Sequence, residues 1–382
     1  MHNHIRVPGS RARSRAIRPA AIQSVIPAVI MILAMLASLR SAQAGVANPD
    51  ISAIGQVVGG YAEEPGSPDS GQAALRSGEM EMVLEAYLNP FIKGWFTLSG
   101  GEGGFALEEG YASMVKGLPW GLNLKAGKYR MGFGKLNPTH PHAYPFITAP
   151  RSLASLLPGG EEGFNETGLQ VSDLLPTPGD WASALSADLI EARQFHPDRE
   201  FTRLGWLGRW TNDFLIGEVG AVETGLSAAS GKVVAPEWES AYLYGADVKA
   251  KFYLPGASQL TLQAEGVYRR FQKLSGPEPE AEILADHRSG FVAFADYRYH
   301  TQWNGGLLFE RWEAGPGMDG AGTSATSGKD MALRVFAGYA VLEESTLIRL
   351  MYERFLPDGA AAADAVSLQL LFSMGPHKAH QF

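Results

Sequence analysis

Histidine placement is the sharpest chemical feature of this sequence. Nine histidines occur in 382 residues, and beyond residue 44 four of them form two close pairs. His140 and His142 sit in Asn137-Pro138-Thr139-His140-Pro141-His142, and His377 and His380 sit in the tail Gly375-Pro376-His377-Lys378-Ala379-His380-Gln381-Phe382. Imidazole suits zinc, copper and nickel, so a close pair could share a divalent metal such as zinc. The spacings match no closed zinc signature, and the absence of Cys excludes a zinc–thiolate site, a disulfide framework and a cysteine nucleophile. The plain alternative is turn and tail packing. No other cofactor is implied. Asp286-His287 is the one pair that tempts an enzymatic reading, and it lacks a nucleophile context such as Gly-x-Ser-x-Gly. The chain therefore reads as a non-enzyme.

A second set of charges gains meaning from the elements that carry it. Val366, Leu368, Leu370, Phe372 and Met374 alternate with Ser367, Gln369 and Ser373, with Leu371 as the exception. Leu260, Leu262, Ala264, Gly266 and Tyr268 alternate with Thr261, Gln263, Glu265, Val267 and Arg269. Tyr242 to Phe252 and Met80 to Leu88 repeat the pattern. A period of two over about 10 residues, with one strongly polar face, is the mark of a transmembrane β-strand. A soluble sheet with one wet face also alternates, but these segments exceed the usual 5–6 residues of globular strands.

Sixteen strands are expected, near 51–63, 79–89, 92–101, 104–116, 121–133, 165–173, 180–193, 201–211, 213–224, 238–253, 258–272, 288–300, 302–313, 331–341, 344–355 and 365–374. Their links alternate long and short, as in barrels with long extracellular loops and short periplasmic turns. The predicted fold is thus an all-β transmembrane antiparallel barrel of about 16 strands, a single domain over residues 45–382. An even strand number puts both termini on the periplasmic side. By this topology the first His pair lies outside and the second in the periplasm.

Residues 1–44 read as a signal peptide. Arg6, Arg11, Arg13, Arg15 and Arg18 form a basic region, Ala20 to Leu39 is apolar, and Ala42-Gln43-Ala44 gives the small-x-small cleavage pattern. The formal charge of the whole chain is −8, and losing this segment makes the remainder more acidic still. That excludes a nucleic-acid binder driven by phosphate neutralisation.

In this register Glu81, Glu85, Lys125, Asp247, Lys249, Glu265, Arg269, Asp296, Arg298, Arg334, Arg349 and Glu353 point inward as pore-lining residues. Sixteen strands leave room for an aqueous channel, and opposing acidic and basic rows would order polar solutes and ions there. The longest loop, Gly134 to Asn165, carries the apolar run Leu153-Ala154-Ser155-Leu156-Leu157. It either folds into the barrel and narrows it or forms an external lid.

Three stretches resemble a known family. They are Asn48-Pro49-Asp50-Ile51-Ser52-Ala53-Ile54-Gly55, then Leu124-Lys125-Ala126-Gly127-Lys128-Tyr129 through Phe133-Gly134-Lys135-Leu136-Asn137 with His140, His142 and Pro145-Phe146, and the end Phe372 to Phe382. They are similar to porin-like proteobacterial outer-membrane barrels, sometimes labelled zinc-regulated TonB-dependent outer membrane receptors. A TonB-dependent receptor has 22 strands and an N-terminal plug. Strands here begin near Ile51, which leaves no room for a plug. The resemblance implies the cell outer membrane of a Gram-negative bacterium and a link to zinc. Implied partners are the lipid bilayer, lipopolysaccharide, the barrel-assembly machinery that reads a terminal aromatic such as Phe382, and a homotrimer of the kind common among 16-stranded porins.

The expected function is passive or weakly selective transport of small polar solutes or ions. The alternatives are capture or uptake of zinc or another divalent metal, and a non-conducting structural or adhesive surface barrel.

Overall fold

The computed structural model describes residues 49–63, 70–101, 104–195, 203–232, 240–275, 282–314, 328–342 and 345–375. The predicted signal peptide, His377, His380 and Phe382 lie outside them. Among the described residues the strands are β1 (Asp50–Ala62), β2 (Gln72–Ser77), β3 (Met80–Tyr87), β4 (Ile92–Gly101), β5 (Gly104–Met114), β6 (Asn123–Arg130), β7 (Asn165–Leu175), β8 (Trp181–Ile190), β9 (Gly205–Ile216), β10 (Gly220–Lys232), β11 (Ser240–Leu254), β12 (Ser258–Ser275), β13 (Glu282–Tyr299), β14 (Trp303–Glu313), β15 (Lys329–Ala340), β16 (Thr346–Leu356) and β17 (Ala363–Met374).

The last strand shows how the alternation builds a wall. Val366, Leu368, Leu370 and Phe372 are 40–53% exposed, whereas Gln369 is 1% exposed. The apolar set faces outward and the polar set inward, the reverse of a soluble sheet. Leu371, the exception in the pattern, lies buried on the inner face. Strand β17 pairs antiparallel with β1, Ala53 opposite Met374, and this closes the barrel. Closure leaves no sheet edge in the bilayer, where an unpaired backbone group would cost several kcal/mol.

Two short strands share one place in the wall. Ser77 of β2 lies opposite Val57 and Glu81 of β3 opposite Ile54, both on β1. They are halves of one strand interrupted at Gly78, so the barrel has sixteen strand positions, all antiparallel. The expected loop over Glu64 to Gly78 therefore gives way, in its second half, to β2. A second correction concerns β9 and β10. The turn lies at 217–219, with Gly217 at φ +52°, not at Asn212. Phe214 instead continues the sheet and stacks on Trp181, ring centroids 5.9 Å apart.

The short links cluster on one rim: 88–91, 115–122, 176–180, 217–219, 255–257, 300–302 and 341–345. Exposed Tyr87, Trp120, Tyr253, Tyr299 and Trp303 ring that rim, where aromatic side chains suit the bilayer interface. The opposite rim carries most of the longer connections, with a tight exception between β4 and β5. The longest, 131–164, turns inward at Met131 and occupies the lumen.

Candidate functional site

The inserted segment begins where β6 ends. Met131 N–H donates to Phe164 O (2.9 Å), closing a neck between its two ends. The Asn137 side chain locks this neck. Its amide donates to Met131 O (2.8 Å) and Phe164 O (2.9 Å), and its carbonyl accepts from Phe164 N–H (2.8 Å). Gly134 makes the first bend with φ +63°, and a Cβ there would lie 1.8 Å from Glu265 Oε1.

The far side of the wall then grips the segment. Glu265 accepts from Lys135 N–H (2.9 Å) and Leu136 N–H (3.0 Å). Arg334, 1% exposed, donates to Thr148 O (2.9 Å) and Ala149 O (3.2 Å) while pairing with Glu310 and Glu353. A short helix, α1 (Arg151–Leu156), follows. Glu310 accepts from its first two N–H groups, Arg151 (3.1 Å) and Ser152 (2.8 Å), and Arg269 donates to Ser155 O (3.0 Å) near its other end. Acid at the start and base at the end of the helix match its dipole. Arg349 donates to His142 O (3.0 Å), and the Arg151 guanidinium pairs with Glu353 (2.8 Å). Between these polar anchors Phe146 meets Phe294 and Phe336 edge-on, centroids 5.4 and 5.7 Å away. Fully burying one such side chain contributes roughly 1.5–3 kcal/mol.

All twelve charges expected on the inner face are on it, but they divide by use. Glu265, Arg269, Arg334, Arg349 and Glu353 hold the segment. Asp247 is taken by Arg209 at 2.7 Å, Asp296 accepts from Asn304 (2.9 Å), and the Lys125 ammonium lies over the rings of Tyr111 and Tyr129. Lys249 and Arg298 share the faces of Asp247 and Asp296 by strand parity. Simple opposing rows across an open lumen are thus replaced by local pairs and by backbone anchors. Burial makes such pairing necessary, since an unpaired charge in a dry interior is very costly.

Glu81 and Glu85 line the space that remains. It is a cavity of about 730 Å³, lined by charged and apolar side chains alike, between β1, β3–β5 and the segment. It runs from the short-turn rim, at Asp50, Lys93 and Val115, up to Lys135, His140 and His142, with Arg209 and Glu223 on its far wall. Lys93 pairs with Glu85 and Lys135 with Glu223.

The first His pair, expected outside, stands at the head of this cavity. Pro138 and Pro141 stiffen the chain there, and His140 is extended (φ −68°, ψ 145°) as a residue before proline prefers. The two imidazoles stack with centroids 5.7 Å apart. His140 Nε2 is 3.0 Å from Glu109 Oε2, and Glu81 Oε2 lies 3.3 Å from His140 Nδ1 and 3.1 Å from His142 Nδ1. Burial disfavours the His140 imidazolium, but the facing carboxylates of Glu109 and Glu81 outweigh it and push its pKa up to about 10.

Sequence alternation missed Glu108 and Glu109, for a specific reason. Adjacent residues of a regular strand face opposite sides, yet here a bulge breaks the register. Glu109 is opposite Thr97 and Leu107 opposite Leu98, so Glu108 is the extra residue. Both carboxylates therefore reach the interior, where Glu108 pairs with Arg130 at 2.7 Å. Arg209, Glu223 and Lys135 were also missed. The first two follow from the shifted β9–β10 register, the third from the burial of the segment. His287, the histidine of the tempting pair, meets the Tyr268 hydroxyl at 2.8 Å on the outer wall.

No family model matches the chain. An uncharacterised protein of Aquifex aeolicus (strain VF5) is 25% identical over 337 residues, covering 79% of this chain and 69% of that one. Among solved structures, an anion-selective porin from Comamonas acidovorans aligns with TM-score 0.57 and 11% identity, over 86% of this chain and 99% of its own. The outer membrane channel DcaP of Acinetobacter baumannii aligns with TM-score 0.56 and 9% identity, over 88% and 100%. The barrel has the fold of the outer-membrane porins. Its place is therefore the outer membrane, in the lipid bilayer. The TonB-dependent receptor label finds no support among these neighbours, a porin and an outer membrane channel. At such low identity the likeness fixes the fold, and the solute must be argued from the chain's own residues.

Proposed function

We propose that this barrel is a diffusion channel for small polar solutes or ions, narrowed by its own inserted segment. The observation that carries this reading is the uneven filling of the lumen. The segment packs dry against one side and leaves a cavity edged by paired charges on the other. Charged groups at a constriction select by size and field rather than by tight binding. Residues 1–44 act as the export signal, the barrel-assembly machinery inserts the chain, lipopolysaccharide contacts the outer rim, and the working unit is a homotrimer.

The test is single-channel conductance of the refolded barrel in a planar bilayer. Discrete steps that scale with salt are expected. Replacing residues 138–160 by a short Gly/Ser link is expected to raise the step size several-fold. A correctly inserted but silent barrel would overturn the channel reading in favour of a structural or adhesive surface role.

A further inference from the structure

We infer that Glu81, His140 and His142 form a divalent-cation site that ties the inserted segment to the barrel wall. One ligand comes from the wall and two from the segment. The ligand atoms of these three buried residues lie within 4.8 Å of one another. The site holds whether or not the lumen conducts, so its failure is distinct from that of the channel reading.

Three observations converge. The first is spacing. Ligands about 2.05 Å from a tetrahedral zinc ion are roughly 3.3 Å from each other. Glu81 Oε2 stands 3.3 Å from His140 Nδ1 and 3.1 Å from His142 Nδ1. The second is orientation. Glu81 Oε2 and His140 Nδ1 are buried and have no aligned hydrogen-bond partner, although they face each other. Glu81 is 95% shielded from solvent, so an unaligned carboxylate oxygen there is costly unless a cation completes it. The third is charge. Glu79, Glu81, Glu108 and Glu109 gather around the histidines, with Arg130 and Lys125 as the fixed cations in reach. The histidines apart, that leaves a surplus of two negative charges, which a protonated imidazole offsets in part and a divalent ion in full.

Two imidazoles and a carboxylate suit zinc, nickel, cobalt(II) or copper(II) rather than calcium or magnesium, which prefer oxygen ligands throughout. The fourth position opens on the cavity, which all three residues line, so an ion has a path in. Glu109 stands beside His140 as an orienting carboxylate of the kind that metal-bound histidines use.

The test uses the refolded full-length barrel, stripped with a chelator and titrated with zinc and, separately, cobalt(II). Cobalt absorption reports whether nitrogen ligands enter the sphere. One ion per chain is expected, with binding kept in the His377→Ala/His380→Ala variant. Glu81→Gln and His142→Ala are each expected to weaken it by roughly 100-fold or more. Heat-modifiable gel mobility checks that each variant is folded, and Glu81→Gln preserves side-chain shape. The proposal is overturned if the folded wild-type barrel binds no ion, if affinity is unchanged in Glu81→Gln and His142→Ala, or if binding disappears in the tail variant alone.

Discussion

The two sides of the lumen are built from the same kinds of residue and end in opposite states. Along β12 to β16, Arg269, Arg334, Arg349, Glu310 and Glu353 are buried under the segment and serve its backbone or one another. Along β1, β3, β4 and β5, Glu81, Glu85, Lys93 and the two histidines border a cavity. The difference is what covers them. Phe146, Leu153 and Leu156 dry out one side, so its charges must be matched closely. On the other the segment contributes Lys135, Thr139 and the two histidines beside Pro138, so the charges there edge an open space instead of a packed core.

The comparison can be broken most severely at Arg334. Arg334→Met removes the cation shared by buried Glu310 and Glu353, leaving Glu353 to Arg151 and Glu310 to two backbone N–H groups, and a loss of about 3 kcal/mol is expected. Denaturant unfolding of the detergent-solubilised barrel would read it. A change under 1 kcal/mol would show that water reaches this side as well. Phe146→Ala removes the ring between Phe294 and Phe336 at a similar or slightly smaller cost, about 3 kcal/mol, the low end for a buried Phe. Because it loosens the segment without adding charge, open-channel current noise should rise.

Gly134→Ala asks a positive-φ bend to carry a Cβ that collides with Glu265, and roughly 1–3 kcal/mol of destabilisation is expected. Thermal unfolding would measure it, and an unchanged midpoint would mean the bend is free to shift. The smallest effect is expected on the wet side. Lys93 is partly exposed but Glu85 is buried, so their pair sits at the upper end for a partly exposed one, about 1 kcal/mol. Lys93→Gln should lower stability by about that amount and shift the reversal potential in a salt gradient towards cations. No shift would place the conducting path elsewhere.

Much of the wall was legible because a barrel strand writes its two faces into alternate residues. Strands β11, β12 and β17 follow that rule and sit where the pattern puts them. Strand β2 (Gln72–Ser77) was hidden because it is too short to show a period and pairs only with the outer half of β1. The β9–β10 hairpin was displaced because Asn212 reads as a turn residue, yet its side chain accepts a hydrogen bond from Trp181 Nε1 (3.1 Å) within the sheet. In the site, the His140–His142 pair was visible as a motif and Glu81 as an inward residue, but not their meeting. Glu108 and Glu109 were hidden, because the bulge at Glu108 escapes a period-two pattern.

The sequence by itself determined the architecture: strand number, closure, the lipid-facing apolar set and the charged inner face. These depend on local alternation and on link lengths, which are properties of neighbouring residues. Only the tertiary structure decided that 131–164 lies inside the barrel, which charges it consumes and which it leaves, and that Glu81 meets His140 and His142. Those outcomes join residues tens to hundreds of positions apart. They depend on how one irregular segment fills a fixed volume, and no local period records that.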